Sequence, residues 1–569
     1  ARHGWLDSQR VQRHLYCTSW ITQSVPRSAG ADADCMFIGG TTAFSSTALM
    51  RPPSLSVLAR KFICAFGRVS HARLATLTTH CAALALIQAA ATAKSCQVLI
   101  MSHSRSLEMH SGLCSLVRSA RQETNLPLHF AQTQSPVAPS LELVCAAAGS
   151  HAEPESLHLV TGTRQVPRLV SAPKMRSDEA EHISGVQLLS GGLGGLGLLT
   201  TRWLAVEGAS AVIVTSRSGK VIPSGTADWA RLQQSEATVH LEQCDVADEI
   251  EPCRVVAEYV ARGLDAVSGV WHAAGMIADA LVGQQAAVLL KRVFAPKAVA
   301  VWNLQSTFAM AHLQSCVLFS SVAALLGTPG QANYAAANSI LDATAYARRM
   351  CGLVGVSAQW GPWSDVGMAA SDMMQSRLQA MGFGMVGLSE GLSAIRSIWL
   401  ITAPAVLSVM PVHWGRMLGT HAAPAFLSGF APVVSAPARA GSATASVKCT
   451  ALGLDTVLEL VRRTAGASVD VDAPLMEAGL DSLGAVELRN QLQAAVGDGV
   501  ELTSSLIFEA PTARQLAEYF EELAIPASAS VPAHTSPVAK PVSLETVHRF
   551  AQRTTGSTVD VDAPLMEAG

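Results

Sequence analysis

About a third of the way along the chain an apolar run passes into a helical stretch through the segment VQLLSGGLGGLG. Gly192, Gly194 and Gly197 stand there in the spacing GxGxxG. A turn of this kind commits the chain to a strand–helix unit whose backbone can approach a pyrophosphate at the helix N-terminus. Alone the pattern is weak, because glycine-rich turns also serve packing. Its surroundings strengthen it: AVIVTSR, GVWHAAG and CVLFSS follow as strand-like runs alternating with Ala-rich helical stretches. That alternation predicts an α/β architecture on a parallel sheet.

Residues 15–175 alternate in the same way, through QVLIMSH and LELVCAAAG, but carry no phosphate-binding glycine pattern. The Gly39–Gly40 pair in FIGGTT reads as an ordinary turn. Two Rossmann-like halves are therefore expected, at 15–175 and 183–418, and only the second is equipped for a nucleotide. Two stretches rich in Ala, Pro and Ser read as linkers, at 419–448 (including APAFLSGFAPVVSAPARAGSATAS) and 526–541. Between them, residues 449–525 are about the size of a compact helical domain.

Further signals refine the nucleotide site. The strand AVIVTSR ends in Ser216–Arg217, where NAD-preferring sites place an acid for the ribose hydroxyls; an Arg suits a 2′-phosphate. In CDVAD, Asp245 can reach an adenine amino group, with Val246 beside it. HAAG (His272, Ala273, Ala274, Gly275) ends a later strand. With Leu196 in the glycine turn, these residues make up an NADPH site. Arg217 alone could equally be a solvated surface residue, and His272 reads as structural rather than catalytic.

FSSVAALLGTPGQANYAAAN holds Ser321, Tyr334 and Asn338. Hydride reaching a carbonyl carbon requires a proton for the carbonyl oxygen. A free tyrosine has a pKa of about 10, so a neighbouring cation must sharpen it as an acid. Simple short-chain dehydrogenases carry that lysine four residues after the tyrosine, a place occupied here by Asn338. Ser321 could instead only cap its turn, Lys297 be a solvated helix residue, Asn338 a cap and Tyr334 packing.

This stretch resembles the ketoreductase domain of modular polyketide synthases, in which the Lys and Asn positions are exchanged. The resemblance implies that Lys297, in FAPKAVAVWNL, tunes Tyr334, that Ser321 hydrogen-bonds the substrate carbonyl, and that Asn338 orders the proton relay. SILDATAYARR and QWGPWSDVGMA are similar to the family as well, the second implying a lid over the substrate groove. LYCTSW, GLCSLVRSARQE and RQVPRLV resemble its structural subdomain, a nucleotide-binding fold without the cofactor that braces the catalytic half. Leu326 stands where one stereochemical class has Trp, while Asp279, Pro329 and Asn333 match the other. The resemblance thus implies a B-type, D-hydroxy-forming reductase, from whose pattern Ala278 departs. Ala337 lacks the Pro of epimerising members.

In LMEAGLDSLGAVELRNQLQ, Ser482 stands where a helix begins, and Ala485, Leu488, Leu492 and Val496 form one apolar face. A helix N-terminus favours a phosphate, and a serine there is also a common cap. The segment resembles an acyl carrier domain of four helices, whose serine takes 4′-phosphopantetheine. VDVDAPLMEAG occurs at Val469–Gly479 and again at Val559–Gly569, so residues 542–569 read as the start of a second carrier.

Composition adds exclusions. A net charge of −3 and 15% charged residues give no reason to expect a nucleic acid or membrane partner. The apolar run CAALALIQAAATA is too short to span a bilayer. The twelve cysteines lie at no metal-ligand spacing, so no metal is expected and the thiols read as reduced, as in a cytoplasmic protein. The expected whole is part of a type I polyketide synthase that reduces a β-ketoacyl thioester on its carrier arm. Its expected partners are condensing and acyltransferase domains and a phosphopantetheinyl transferase, with homodimerisation through the parent synthase. A multi-domain fatty acid synthase, or a non-catalytic scaffold with a decayed reductase, stand as alternatives.

Overall fold

The apolar runs flanking the glycine turn are buried on both faces, from Val186 to Ser190, Ala211 to Thr215 and Val356 to Trp360. Strands buried on both faces belong in the middle of a parallel sheet covered by helices. In the computed structural model this is what they form. The structure describes residues 12–23, 35–40, 61–66, 72–93, 97–103, 111–124, 126–133, 153–159 and 163–174 of the N-terminal half. It then describes 183–431 without 222–224, 235–237, 367–374, 376–377, 380, 400–402 and 419–422. Last come residues 452–524 without 466–468, 477–479, 481, 497–501 and 503–505.

The N-terminal half supplies β1 (Leu15–Gln23), β2 (Cys35–Gly40), β3 (Lys61–Phe66), β4 (Gln97–His103), β5 (Leu128–Thr133), β6 (Glu155–His158) and β7 (Arg164–Ser171). The second half supplies β8 (Val186–Ser190), β9 (Ala211–Ser216), β10 (Thr238–Gln243), β11 (Val267–His272), β12 (Ser315–Ser321), β13 (Val356–Trp360) and β14 (Val406–Val409). All of them share one sheet, in the order β10-β9-β8-β11-β12-β13-β14-β1-β7-β6-β5-β4-β3-β2. The halves join where β1 pairs antiparallel with β14, Leu15 opposite Val409.

The two halves are wound differently. From β8 the second half runs outward in both directions, so its strand order reverses between β8 and β11, the crevice where α/β sheets bind ligands. Strands β2 to β6 of the first half follow one another in sequence order with no reversal. The second half is parallel, as expected, and the first is parallel from β2 to β6 with β7 antiparallel to β6 and β1; only the second has a switch point. Gly39 and Gly40 are not a turn: they end β2, opposite Ala65 and Phe66.

Helix Ser111–Glu123 of the first half lies against helix Ala332–Met350 of the second. The approach is close because Gly112 has no side chain; a Cβ there would stand 2.8 Å from the Ala336 carbonyl oxygen. The expected first linker needs correction at its start. Residues 425–430 form a 3-10 helix whose Phe430 stacks on Trp414 and meets Tyr16, so the second half extends to about this point. The second linker, the second repeat and residues 432–451 lie outside the described residues.

Helices Leu454–Ala465, Ser482–Val496, Leu506–Glu509 and Ala513–Ala524 share a core of their own, including Val457, Val461, Leu488, Leu492, Leu516 and Phe520. The four positions expected to form the apolar face of the second helix are all buried. No described helix is long and apolar enough to cross a membrane.

Glu155 on β6 anchors the arginine that reaches across to the second half. Its carboxylate accepts from Arg118 (2.8 Å) and Arg121 (2.5 Å), while Arg118 also donates to the Ala324 and Leu325 carbonyls. Burial alone would raise this carboxyl, but the two guanidinium groups outweigh it and hold it at about 2. Its contribution to stability is therefore present above the ordinary carboxylate range and lost as pH falls towards 2. Glu155→Gln leaves two partly buried cations uncompensated and is expected to cost about 2–3 kcal/mol in urea unfolding at neutral pH.

Candidate functional site

The glycine turn follows β8 directly and lies at the switch point. Its glycines have separate jobs. Gly191, with φ of 73°, lies against the HAAG backbone, and a Cβ there would stand 2.5 Å from the Ala274 Cα. A Cβ on Gly192 would strike Leu189 and Val214, and one on Gly197 would stand 2.3 Å from the Gly191 carbonyl. Gly194 differs: it is exposed, a Cβ would meet nothing nearer than 3.5 Å, and it opens helix Gly195–Glu207 with no side-chain cap. The first amides of that helix are thus left without a side-chain acceptor, as a pyrophosphate site requires. Leu196 is half-buried beside them.

Ser216 ends β9, and its hydroxyl accepts from the Gly219 amide (3.0 Å), fixing the turn that presents Arg217. The Arg217 side chain is exposed and makes no hydrogen bond or ion pair among the described residues. Asp245 is exposed; one oxygen accepts from the Ala247 amide (3.0 Å), and the buried Asn303 anchors the same loop through the Val246 and Asp248 carbonyls. His272 is fully buried, with Nδ1 2.5 Å from the Ser190 hydroxyl. Burial, then the charge of Lys297, lowers its pKa to about 3, so it is a neutral structural residue. These residues fit a dinucleotide: open amides, an exposed guanidinium and an exposed carboxylate follow the carboxyl ends of the neighbouring parallel strands β8, β9 and β10.

Lys297 enters from a π-helical turn, Ala295–Val299, between helices Ala287–Phe294 and Ala300–Thr307. Pro296 has no N–H to give to the ordinary helical ladder, which suits the wider turn. The lysine is 4% exposed; its Nζ donates to the Phe319 carbonyl (2.6 Å) and lies 5.9 Å from the centre of the Tyr334 ring, within cation–π range. Its stem crosses Gly275, where a Cβ would stand 2.6 Å from Lys297 Cε. Burial lowers the ammonium to about 7, against the pull of Asp342.

Ser321, at the end of β12, caps the helix Val322–Leu326 by accepting from the Ala323 amide (3.2 Å). Tyr334 is buried, which raises its phenol; the side chains of Asn338 and Ser321 pull it the other way. Asn338 donates through Nδ2 to the Tyr334 carbonyl (2.9 Å), leaving its buried Oδ1 without a partner among the described residues.

Two loops border this centre, one after β11 and one before Tyr334. The Asn333 amide group donates to the Ala278 carbonyl (2.8 Å), the Gln331 side chain reaches Asp279 (3.3 Å), and Pro329 is buried between. In the expected lid, Trp363 is core, packed on Trp360 and under Gly391; residues 367–374 lie outside the described residues. Ser482 is the first residue of helix Ser482–Val496, and its side chain is not among those described.

Residues 185–365 match the KR domain, and 455–520 match the phosphopantetheine attachment site. Polyketide synthase GfsA of Streptomyces halstedii is 34% identical over 391 residues, covering 63% of this chain and 5% of that protein. The phthioceranic/hydroxyphthioceranic acid synthase of Mycobacterium tuberculosis is 34% identical over 369 residues, covering 62% of this chain and 17% of that protein. Among solved structures, the ketoreductase from the first module of phoslactomycin biosynthesis in Streptomyces sp. HK803 aligns with a TM-score of 0.64 at 22% identity, over 74% of this chain and 98% of that one. The chain fits a type I polyketide synthase fragment. It spans only a small part of the curated relatives it matches.

Within the ketoreductase domain, sequence reasoning missed a buried polar chain beneath the tyrosine. Asp342 lies two turns beyond Tyr334 on the same helix and accepts from Ser357 (2.7 Å) and Gln359 (2.7 Å); Ser408 on β14 donates to Gln359 (2.5 Å). Burial raises Asp342 to about 6, and these bonds and Lys297 oppose the rise. Its signal was present: one acid inside the apolar SILDATA. Gly191 was missed too, being outside the GxGxxG frame.

The turn's division of labour is testable by thermal unfolding. Gly197→Ala, which must push backbone aside, is expected to destabilise by about 1–3 kcal/mol. Gly194→Ala should stay within about 0.5 kcal/mol of the parent.

Proposed function

We propose that this segment reduces a β-ketoacyl thioester, carried on a phosphopantetheine arm at Ser482, to the β-hydroxyacyl thioester with NADPH. The observation that carries the reading is a desolvated ammonium, Lys297, over the face of a buried tyrosine. When bound, the nicotinamide supplies the hydride for the carbonyl carbon. The chain's own residues manage the oxygen. Ser321 accepts from the Ala323 amide, so its O–H is the donor it turns towards the Tyr334 phenol and the carbonyl oxygen. Tyr334 gives its phenolic proton to that oxygen, and Lys297 lowers the cost of the phenolate left behind. Asn338 Oδ1, an acceptor without a partner among the described residues, suits a relay that returns a proton to the tyrosine. Gly192, Gly194, Leu196 and Gly197 hold the pyrophosphate side, and Ser216–Arg217 takes the 2′-phosphate. Asp245 and Val246 border the adenine, and His272 with Ala273, Ala274 and Gly275 shapes the crevice floor.

Asp279, Pro329 and Asn333 support B-type reduction to the D-alcohol. The tether raises local substrate concentration to the millimolar range. The parent synthase would supply condensing and acyltransferase domains, and a phosphopantetheinyl transferase would load Ser482.

The test is nicotinamide absorbance with a diffusible β-ketoacyl thioester. The wild type is expected to consume NADPH in preference to NADH, with Arg217→Ala narrowing that preference. No consumption, where a working relative consumes, would leave a carrier scaffold, and an L-alcohol product would overturn the stereochemical reading. Tyr334→Phe should lower kcat/KM by at least about 100-fold.

The pH profile follows from Lys297. Because burial lowers its pKa to about 7, the ammonium is lost as pH rises through that value, and kcat/KM should fall there. Asp342 holds that pKa up, so Asp342→Asn should move the descending limb to lower pH.

For the carrier, intact mass should rise by one phosphopantetheine on treatment with a transferase and coenzyme A. Ser482→Ala should abolish that gain; a persistent gain would place the attachment elsewhere.

A further inference from the structure

The reaction centre does not use Glu123, yet this carboxylate of the N-terminal half reaches both loops that border it. It is the last residue of helix Ser111–Glu123, where a negative charge opposes the helix dipole, so local helix energetics do not favour it. Burial raises it to about 7 against the pull of the two amides it accepts from, those of Val282 and Gly330. One oxygen takes the Val282 amide (2.5 Å), which opens the 3-10 turn Val282–Gln284 after the HAAG strand. The other takes the Gly330 amide (2.8 Å), in the segment leading to Tyr334. Gly330 has a φ of 78°, a conformation other residues rarely adopt.

Three more bonds lace the loops to each other: the Ala280 amide to the Gly330 carbonyl (2.9 Å), Asn333 to Ala278 and Gln331 to Asp279. Neighbours on the same side reinforce the hold. Gln88 donates to the Val282 carbonyl (2.7 Å), and the Ser119 hydroxyl accepts from the Thr328 amide (3.2 Å). Among the described residues, Glu123 is the one side chain whose two oxygens are shared between the loops. Apolar packing cannot replace it, because two amides would be left unpaired.

We propose that Glu123 is a positioning residue that fixes the spacing of the two loops carrying Asp279 and Pro329, and thereby decides which face of the β-ketone meets the reducing centre. The N-terminal half then selects the product as well as bracing the fold. This rests on the reductase reading given above.

The test uses the full chain, NADPH and a diffusible β-ketoacyl thioester, and reads the ratio of alcohol stereoisomers together with separate KM values. Glu123→Gln keeps the shape but turns a donor towards one amide. It is expected to raise the thioester KM about tenfold and to drive the product ratio towards equality, with the NADPH KM unchanged. Gln122→Ala, which removes a bond from the same helix to the Leu326 carbonyl, should leave the ratio as in the wild type. An unchanged ratio in Glu123→Gln, or an equal loss in Gln122→Ala, overturns the inference while the reductase reading stands. Should Glu123→Gln fail to fold, Ser119→Ala takes its place: release of the Thr328 amide must shift the ratio in the same direction, and an unchanged ratio counts against the proposal. A wild type that consumes no nicotinamide removes the reductase reading itself.

Discussion

An ammonium group has been taken out of water at Lys297, and much of the second half is arranged to keep it there. Desolvating a charge costs several kcal/mol unless partners compensate. Here the compensation is spread over one carbonyl, Phe319, the face of Tyr334 and the more remote carboxylate of Asp342. The partners come from β12 and from helix Ala332–Met350, so the charge makes its own demand on how those elements pack against the lysine's helix. Gly275 has to lack a side chain, because the lysine stem passes through the space a Cβ would fill. The helix bearing the lysine has to widen into a π turn. Asp342, in turn, is held by Ser357 and Gln359 from the neighbouring strand, so the field at Lys297 is set as far away as β13 and β14.

The two halves of the sheet divide the work for a topological reason. A strand order that reverses opens a crevice at the carboxyl ends, and one that proceeds in sequence order does not. The second half therefore has a place for the glycine turn, and the first has none. What the first half contributes instead is polar contact through one helix. Ser115, Arg118, Ser119, Gln122 and Glu123 all bond to the segment between Ser321 and Gln331. That segment is one short helix, Val322–Leu326, followed by a turn, and without partners the backbone groups at the helix end and in the turn would be buried unpaired.

Much of this was legible in the sequence, and the limits have physical causes. The strands flanking the glycine turn announced themselves because a strand buried on both faces must be apolar throughout. The carrier helix announced its buried face by spacing, from Ala485 to Val496. Gly39–Gly40 misled, since a glycine pair signals a turn only when no neighbouring strand claims its backbone, and here β3 does. Residues 425–430 misled for the opposite reason: their composition is that of a linker, while Phe426, Leu427 and Phe430 find an apolar groove made by Tyr16 and Trp414. The place of Lys297 followed from family resemblance alone, because no periodicity rule anticipates a π turn. Asp342 and Glu123 escaped because their partners come from distant parts of the chain, and such pairings leave no local pattern.

Several residues that admitted either a structural or a chemical reading sit where a structural role leaves the proposed chemical one room. Ser321 caps a helix, and that is what aims its remaining proton: accepting from the Ala323 amide uses a lone pair and leaves the O–H to donate elsewhere. Asn338 shows the complement, since its donor is spent on the backbone one turn earlier and its acceptor is left over in a buried place. Gly194 is a cap without a side chain, which leaves the amides of its helix for a ligand. In Asn338 and Gly194 one hydrogen-bonding group is used by the fold and another is left without a side-chain partner among the described residues. Groups of this kind stay rigid because the fold holds them, and stay available because the fold does not saturate them. A free surface serine or asparagine has the second property without the first, so where the fold holds such a residue matters as much as its type.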